Sequence, residues 1–379
     1  MDYLVKHRIK KSKMRTVFKK SYDPDINLFK DSFHRNCYIL LFFTVLLAPF
    51  FVSEYLIGEL TLTLIWAIAG LGLMILVGQS GQVSLGHSAF MAIGAYSVVI
   101  LQNKLGFSFL LALPSAGLIS AIIGFLIALP TTKLHGIYLA ILTLAISVLV
   151  EDLIVLAAPI TGGVNGMFAP DIEIFTINFG RYSSISNLYW LVLLSTILLV
   201  FLYKNILRSP LGRNFAAIRD SEISAAAMGV NVVTTKGLAF AISSFYTGIA
   251  GAFFGHFATA FNYETFNVIM SITILLMIVV GGVGSIHGAF LGAIFITLLP
   301  VSISFFRDFV LENVGLNITT LPGVETGVFS IILIAFLMFE PLGLYGAWIK
   351  TRTYFELFPL YRKDMFRRQK SYLKTERLR

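Results

Sequence analysis

The charged residues of this 379-residue chain fall in bunches, and the gaps between them constrain what it can become. Uncharged intervals of 18 residues (Arg35 to Glu54), 44 (Glu59 to Lys104), 28 (Lys104 to Lys133) and 17 (Lys133 to Glu151) come first. Later intervals are 22 (Arg181 to Lys204), 27 (Lys236 to Glu264), 42 (Glu264 to Arg307) and 14 (Glu325 to Glu340). A helix needs roughly 20 apolar residues to cross about 30 Å of hydrocarbon. The two longest intervals therefore hold two crossings each, and the sum is ten. With 57% hydrophobic and only 13% charged residues, the composition agrees with an all-α polytopic membrane protein. The interval from Asp152 to Asp171 contains "TGGVNG", whose glycines and Asn-Gly pair predict a loop instead.

Of 29 Lys and Arg, ten precede Asn36, five lie from Lys204 to Lys236 and ten follow Trp348. Basic residues stay on the cytoplasmic side, so both termini and the Lys204 to Lys236 loop are expected inside, which an even number of crossings satisfies. The expected organisation is a basic tail (1–36), a transmembrane domain (37–349) containing the cytoplasmic loop 204–236, and a second basic tail (350–379). The net charge of +9 is accounted for by this topology and by attraction to anionic lipid, without nucleic acid. The first 36 residues contain no apolar run of the kind a cleavable signal peptide has, and the first helix is expected to be its own insertion signal. Cys37 stands alone, which rules out an internal disulfide and a Cys-based metal cluster.

No expected span carries a charge at its centre; Glu54, Glu59, Glu151, Asp152, Glu264, Glu325 and Glu340 all fall near predicted helix ends. Ion-coupled carriers usually hold such a group, because a buried charge is costly and so is seldom idle. Backbone carbonyls that hold Na⁺ keep that alternative open. Glycine is concentrated in two places instead. In "GQSGQVSLGHSAF" (Gly78 to Phe90) it mixes with polar residues, as expected of a broken or re-entrant segment lining a cavity, or of a plain turn between helices. Gln79, Gln82, Ser84, Gly86, His87 and Ser88 are its candidate path residues. In "GGVGSIHGAFLGA", Gly281 and Gly282 precede Gly284-xxx-Gly288-xxx-Gly292. That spacing and Gly251-xxx-Gly255 predict close helix packing. No G-x-x-x-x-G-K-[ST] is present, so no P-loop ATPase lies in this chain, and the six histidines include no HExxH pair. No metal site or cofactor of its own is expected.

The loop "KNILRSPLGRNFAAIRDSEISAAAMGVNVVTTK" (Lys204 to Lys236) reads as two short helices. Ser209 caps the first with Pro210 at its first position, and Asp220 or Ser221 caps the second, which ends at Gly229. Here the sequence resembles the LivM-type permease subunits of ABC importers for branched-chain amino acids. Five passages carry the resemblance: "GQVSLGHSAFMAIGAY", "LHGIYLAILTLA", "TGGVNG", "SPLGRNFAAIRDSEISAAAMGV" and "GGVGSIHGAFLGA". It runs from about Leu60 to Gly346. The resemblance implies a pore shared with a second homologous permease chain. It also implies two cytoplasmic P-loop ATPases carrying ATP and Mg²⁺, and an extracytoplasmic substrate-binding protein. It places the chain in the cytoplasmic (inner) membrane and makes the loop the segment that couples to the ATPase, through Arg208, Pro210, Gly212, Arg219, Asp220, Glu222, Ala225, Ala226 and Gly229. Thr161, Gly162, Gly163, Asn165 and Gly166 join the candidate path on the same ground. Branches of the family that carry urea or other small polar solutes stay open as alternatives, as does an ATP-independent channel.

Overall fold

The computed structural model describes residues 32–132, 134, 136–174, 177–314, 324–340 and 342–357. Most of both basic tails, and His135, lie outside the described residues. Two compact units are present, Met1–Phe51 and Val52–Arg379. In the first, the described part is a single helix α1 (Ser32–Phe51) with Pro49 inside it. Ser32 to Asn36, expected in the tail, already belong to this helix.

The second unit is helical throughout its core. Its elements are α2 (Glu54–Leu73), which runs on into a π-helical turn Met74–Gln79, then α3 (His87–Leu105), α4 (Phe109–Thr131), α5 (Ile137–Leu156) and α6 (Ile185–Arg208). Two short helices follow, α7 (Pro210–Asp220) and α8 (Glu222–Ala227), and then α9 (Val232–Ala258). The unit closes with α10 (Val268–Gly281), α11 (Ile286–Val314), α12 (Val324–Phe339) and α13 (Gly343–Leu357). Lys350, expected to open the second tail, lies within α13. Two hairpin-sized strand pairs, Met167–Phe168 with Ala260–Phe261 and Glu173–Ile174 with Ile177–Asn178, sit in the connections.

Among the described residues, seven helices are long and apolar enough to cross a membrane. They correspond to α2 with its π turn, α4, α5, α6, α9, α10 and the first part of α11. Helix starts follow the capping residues in the sequence: Ser221, Asn231 and Asn267 each accept a backbone N–H from three residues on. Pro210 opens α7, where the N–H it lacks has no intrahelical partner in any case.

α2 and α9 form the buried centre. α9 packs on α4, α3 and α2, while α10 pairs with α11, which also packs on α2. Glycine decides how close these helices come, because a Cβ at Gly94 would overlap the Gly248 carbonyl and one at Gly251 the Met91 carbonyl. At the α10–α11 crossing, Gly281 lies against Gly288 and Gly292 against Met277, backbone to backbone. The expected run of three glycines on one helical face is corrected here. α11 starts at Ile286, so Gly284 precedes it, in a turn where its φ is +92°.

Candidate functional site

The stretch from Gly78 to Ser88 is built as a junction of five helices. The π turn ends at Gln79, the chain crosses residues 80–86 as an open connection, and α3 begins at His87. Ser80, Gln82, Ser84, His87 and Ser88 are all buried, and each finds a partner. Ser80 Oγ donates to the Leu76 carbonyl (2.8 Å), and Gln82 Nε2 donates to Ser80 Oγ (2.9 Å). Ser243 Oγ on α9 donates to the Gly72 carbonyl (2.7 Å), so it accepts from His87 Nε2 (2.8 Å). That assigns the proton to Nε2 and leaves Nδ1 to accept from Ser84 Oγ (3.1 Å).

A second cluster lies one turn on. Ser88 Oγ sits 2.7 Å from both Ser147 Oγ on α5 and Ser271 Oγ on α10, and the Ser88 N–H donates to Ser271 Oγ (2.8 Å). The Leu85 N–H donates to Thr143 Oγ1 (2.9 Å), and a Cβ at Gly86 would press on the Thr143 carbonyl. In a membrane-buried core each unmet polar group costs several kcal/mol, so these serines and His87 lock α2, α3, α5, α9 and α10 together. Sequence reasoning found one side of this network and missed Thr143, Ser147, Ser243 and Ser271. Lone hydroxyls on apolar helices carry no periodic signal.

Gln79 is half-buried and reaches outward. Its Nε2 donates to the Gly284 carbonyl (3.2 Å), while the Gly284 N–H points at Met74 Sδ (2.9 Å). Arg219 of α7 donates to the Gly78 carbonyl (3.0 Å), and its side chain lies over Gly81. That carbonyl is free because Gly78 lies in the last turn of the helix, where carbonyls have no intrahelical partner. The end of α2, the α10–α11 turn and α7 thus meet at Gly78 and Gln79.

In the loop between α6 and α9, Ser209 precedes Pro210 and Ser221 caps α8, its Oγ accepting from the Ser224 N–H (3.3 Å). α8 ends at Ala227, and Gly229 follows with φ +87° and no atom near its missing Cβ. Lys236 is 2% exposed; its Nζ pairs with Glu222 Oε1 (2.6 Å) and donates to the Thr132 carbonyl (3.2 Å). Glu222 is thus turned inward and Ala225 is buried, while Ile223 (85% exposed), Ala226, Ala227, Met228 (74%) and Gly229 form the free tip. Gly212 packs on Leu207, Asp220 pairs with Arg219 (3.3 Å), and Arg208 and Pro210 are exposed.

"TGGVNG" lies elsewhere. Contacts of Leu85 with Thr143, Ser88 with Ser147, and Lys104 with the Pro159 carbonyl (2.8 Å) show α3 and α5 running parallel. The Thr161 to Gly166 turn is therefore about 25 Å from the Gly78 junction, at the far end of α5. There Thr161 Oγ1 donates to the Ile154 carbonyl (2.6 Å), Gly162, Gly163 and Gly166 have positive φ, and Asn165 is exposed. The two groups of candidate path residues are not brought together. No cluster of three or more metal-ligating side chains occurs among the described residues.

A bundle of long apolar helices, stitched inside by small hydroxyls and glycine crossings, with a capped helical pair at one end, defines a multi-pass membrane protein. Residues 55–339 match the family described as branched-chain amino acid transport system / permease component, and the chain belongs to that family. It is 37% identical over 282 residues to the high-affinity branched-chain amino acid transport system permease proteins LivM of Salmonella typhimurium and Escherichia coli. That alignment covers 69% of this chain and 66% of each relative, slightly under two thirds of their length. A probable branched-chain amino acid transport permease protein LivM of Methanocaldococcus jannaschii is 27% identical over 236 residues, 62% of this chain and 67% of the relative. No solved structure matches the chain.

Proposed function

We propose that this chain is the permease subunit of an ATP-driven importer in the cytoplasmic (inner) membrane, that it moves branched-chain amino acids, and that it forms half of the pore with a second, homologous permease chain. Two cytoplasmic ATPases drive it and an extracytoplasmic binding protein delivers the substrate. The likeness to the two enterobacterial LivM proteins over 282 residues carries this reading. Ten crossings follow if α1, α3 and α12 join the seven longer spans, and both termini then face the cytoplasm with α7 and α8. Residues 79–88 contribute to gating the path from inside the subunit by holding five helices in register. The glycine turn at 161–166 contributes at the opposite mouth.

Coupling runs through α8. Its tip is small and apolar, and it is held by the Lys236–Glu222 pair, so it transmits a push from an ATPase cleft to the base of α9. Gly229→Asp tests this, since it adds a Cβ at φ +87° and a negative charge at a helix C-terminus. The expected result is normal insertion with little co-purifying ATPase and no leucine uptake. Stoichiometric ATPase with wild-type uptake would remove α8 from the coupling role, and uptake of urea in place of leucine would change the substrate.

A further inference from the structure

At the end of α2 remote from Gly78 lies a cleft that the hydroxyl network does not touch. It is lined by Glu54, Tyr55, Gly58 and Glu59 from the first two turns of α2, Arg181, Tyr182 and Ile185 at the start of α6, and Phe257 near the end of α9. The guanidinium of Arg181 stands 4.3 Å from the centre of the Phe257 ring, and Nη1 donates to the Phe257 carbonyl (3.2 Å). Those contacts fix the group in place and leave its other N–H donors for a ligand. Neither the Glu54 nor the Glu59 side chain has a hydrogen bond or ion pair among the described residues. Tyr55, Ile185 and Phe257 supply the apolar part of the lining.

From this arrangement we infer that the cleft is a binding site for a free zwitterionic α-amino acid, with Arg181 taking the carboxylate, Glu59 and Glu54 the ammonium, and the apolar wall an aliphatic side chain. It extends the function proposed above and rests on it for the choice of leucine as probe. Glu59 feels the charge of Arg181 across the cleft, and both carboxylates keep acceptor oxygens free of hydrogen bonds among the described residues, which suits an ammonium group. The cleft lies over the outer ends of α2 and α9, the two central helices. Roughly 30 to 35 Å of helix separates it from Gly78, so a ligand there touches the same rod that α7 holds at its other end.

The test uses the complete transporter in nanodiscs, without binding protein, and L-leucine observed by saturation-transfer NMR. L-leucine is expected to bind, with N-acetyl-L-leucine and L-leucinamide each about tenfold or more weaker, because each lacks one charge-assisted contact. Arg181→Gln should abolish the preference over leucinamide alone, and Glu59→Gln the preference over N-acetyl-leucine alone. Arg181→Lys should retain part of the first preference. If Arg181→Gln does not fold, the Glu59→Gln and Arg181→Lys results decide. Absence of a leucine signal, equal binding of the three compounds, or unchanged preferences in the variants overturns the inference. Leucine uptake by cells carrying the wild-type transporter is measured in parallel. Uptake without cleft binding overturns the site and leaves the importer reading intact, whereas absence of α-amino acid uptake overturns that reading.

Discussion

The two ends of α2 use their polar groups in opposite ways. At the Gly78 end nearly every donor and acceptor is engaged, with the Gly78 carbonyl held by Arg219, Gln79 bonded across to Gly284, and Ser243 bridging to Gly72. At the Glu54 end two carboxylates and a guanidinium share an open cleft. One end is built for rigidity and the other for contact with something outside the bundle. The burial pattern agrees, since residues 65–76 of α2 are almost entirely buried whereas Glu54 and Tyr55 are exposed.

Five substitutions break or sharpen this contrast. Gly292→Leu should have the largest effect. Its side chain would need the space of the Met277 backbone, and overpacking of this kind costs about 3 kcal/mol or more. Recovery of folded, detergent-stable protein by size-exclusion chromatography should fall to near zero, and a normal yield would mean that the α10–α11 crossing is not tight.

The Lys236–Glu222 pair comes next. Glu222→Gln strands a buried ammonium and should lower stability by about 2 kcal/mol, somewhat below the usual cost for a fully buried pair because Glu222 is 32% exposed. Lys236→Met leaves a carboxylate that can turn to water and should cost less. Thermal unfolding of the two variants side by side checks the order; the reverse order would show that the lysine is not the desolvated partner.

Arg219→Ala removes the bond to the Gly78 carbonyl and an exposed ion pair with Asp220 from a 43% exposed side chain, and should cost only about 0.5 to 1 kcal/mol. Uptake should fall much further than stability does, because α7 loses its hold on α2. Equal small losses in both would make Arg219 a surface residue with no part in transmission. The smallest effect is expected at the other end, where Gly58→Ala places a Cβ 3.5 Å from Ile185 in ordinary contact. Its melting temperature should change by less than the equivalent of about 1 kcal/mol, since helix propensity favours alanine. A loss as large as that at Gly292 would erase the distinction between the ends.

Much of the bundle is legible in the spacing of charges, because a charge inside hydrocarbon is penalised wherever it occurs: α4 lies within its expected interval, whereas α5, α6 and α9 run past Glu151 and Asp152, Lys204 and Lys236 at one end. Pro210, Ser221 and Gly229 are equally legible, since each meets a local backbone need that does not depend on distant residues. The partners of His87 and Ser88 were not, because Ser243 and Ser271 are one small hydroxyl each on helices more than 150 residues away. Lys236 read as the edge of the cytoplasmic loop, and its burial was not visible; only the fold brings Thr132 and Glu222 to it. Glu54, Glu59 and Arg181 were visible as helix-end charges, but their meeting in one cleft depends on α2, α6 and α9 ending at the same level.

The serine cluster also sets a schedule for making the protein. Ser88 bonds to Ser271, which lies 183 residues later in the chain. At roughly 5 to 20 residues per second, α3 waits about 10 to 35 s after its own synthesis before that partner exists. During that interval Ser88 can rely on Ser147, 59 residues on, but His87 still lacks Ser243, so α3 must stay beside the insertion machinery to avoid facing lipid with a bare imidazole N–H. Biogenesis of this subunit therefore depends on where α3 is held while α9 and α10 are still on the ribosome.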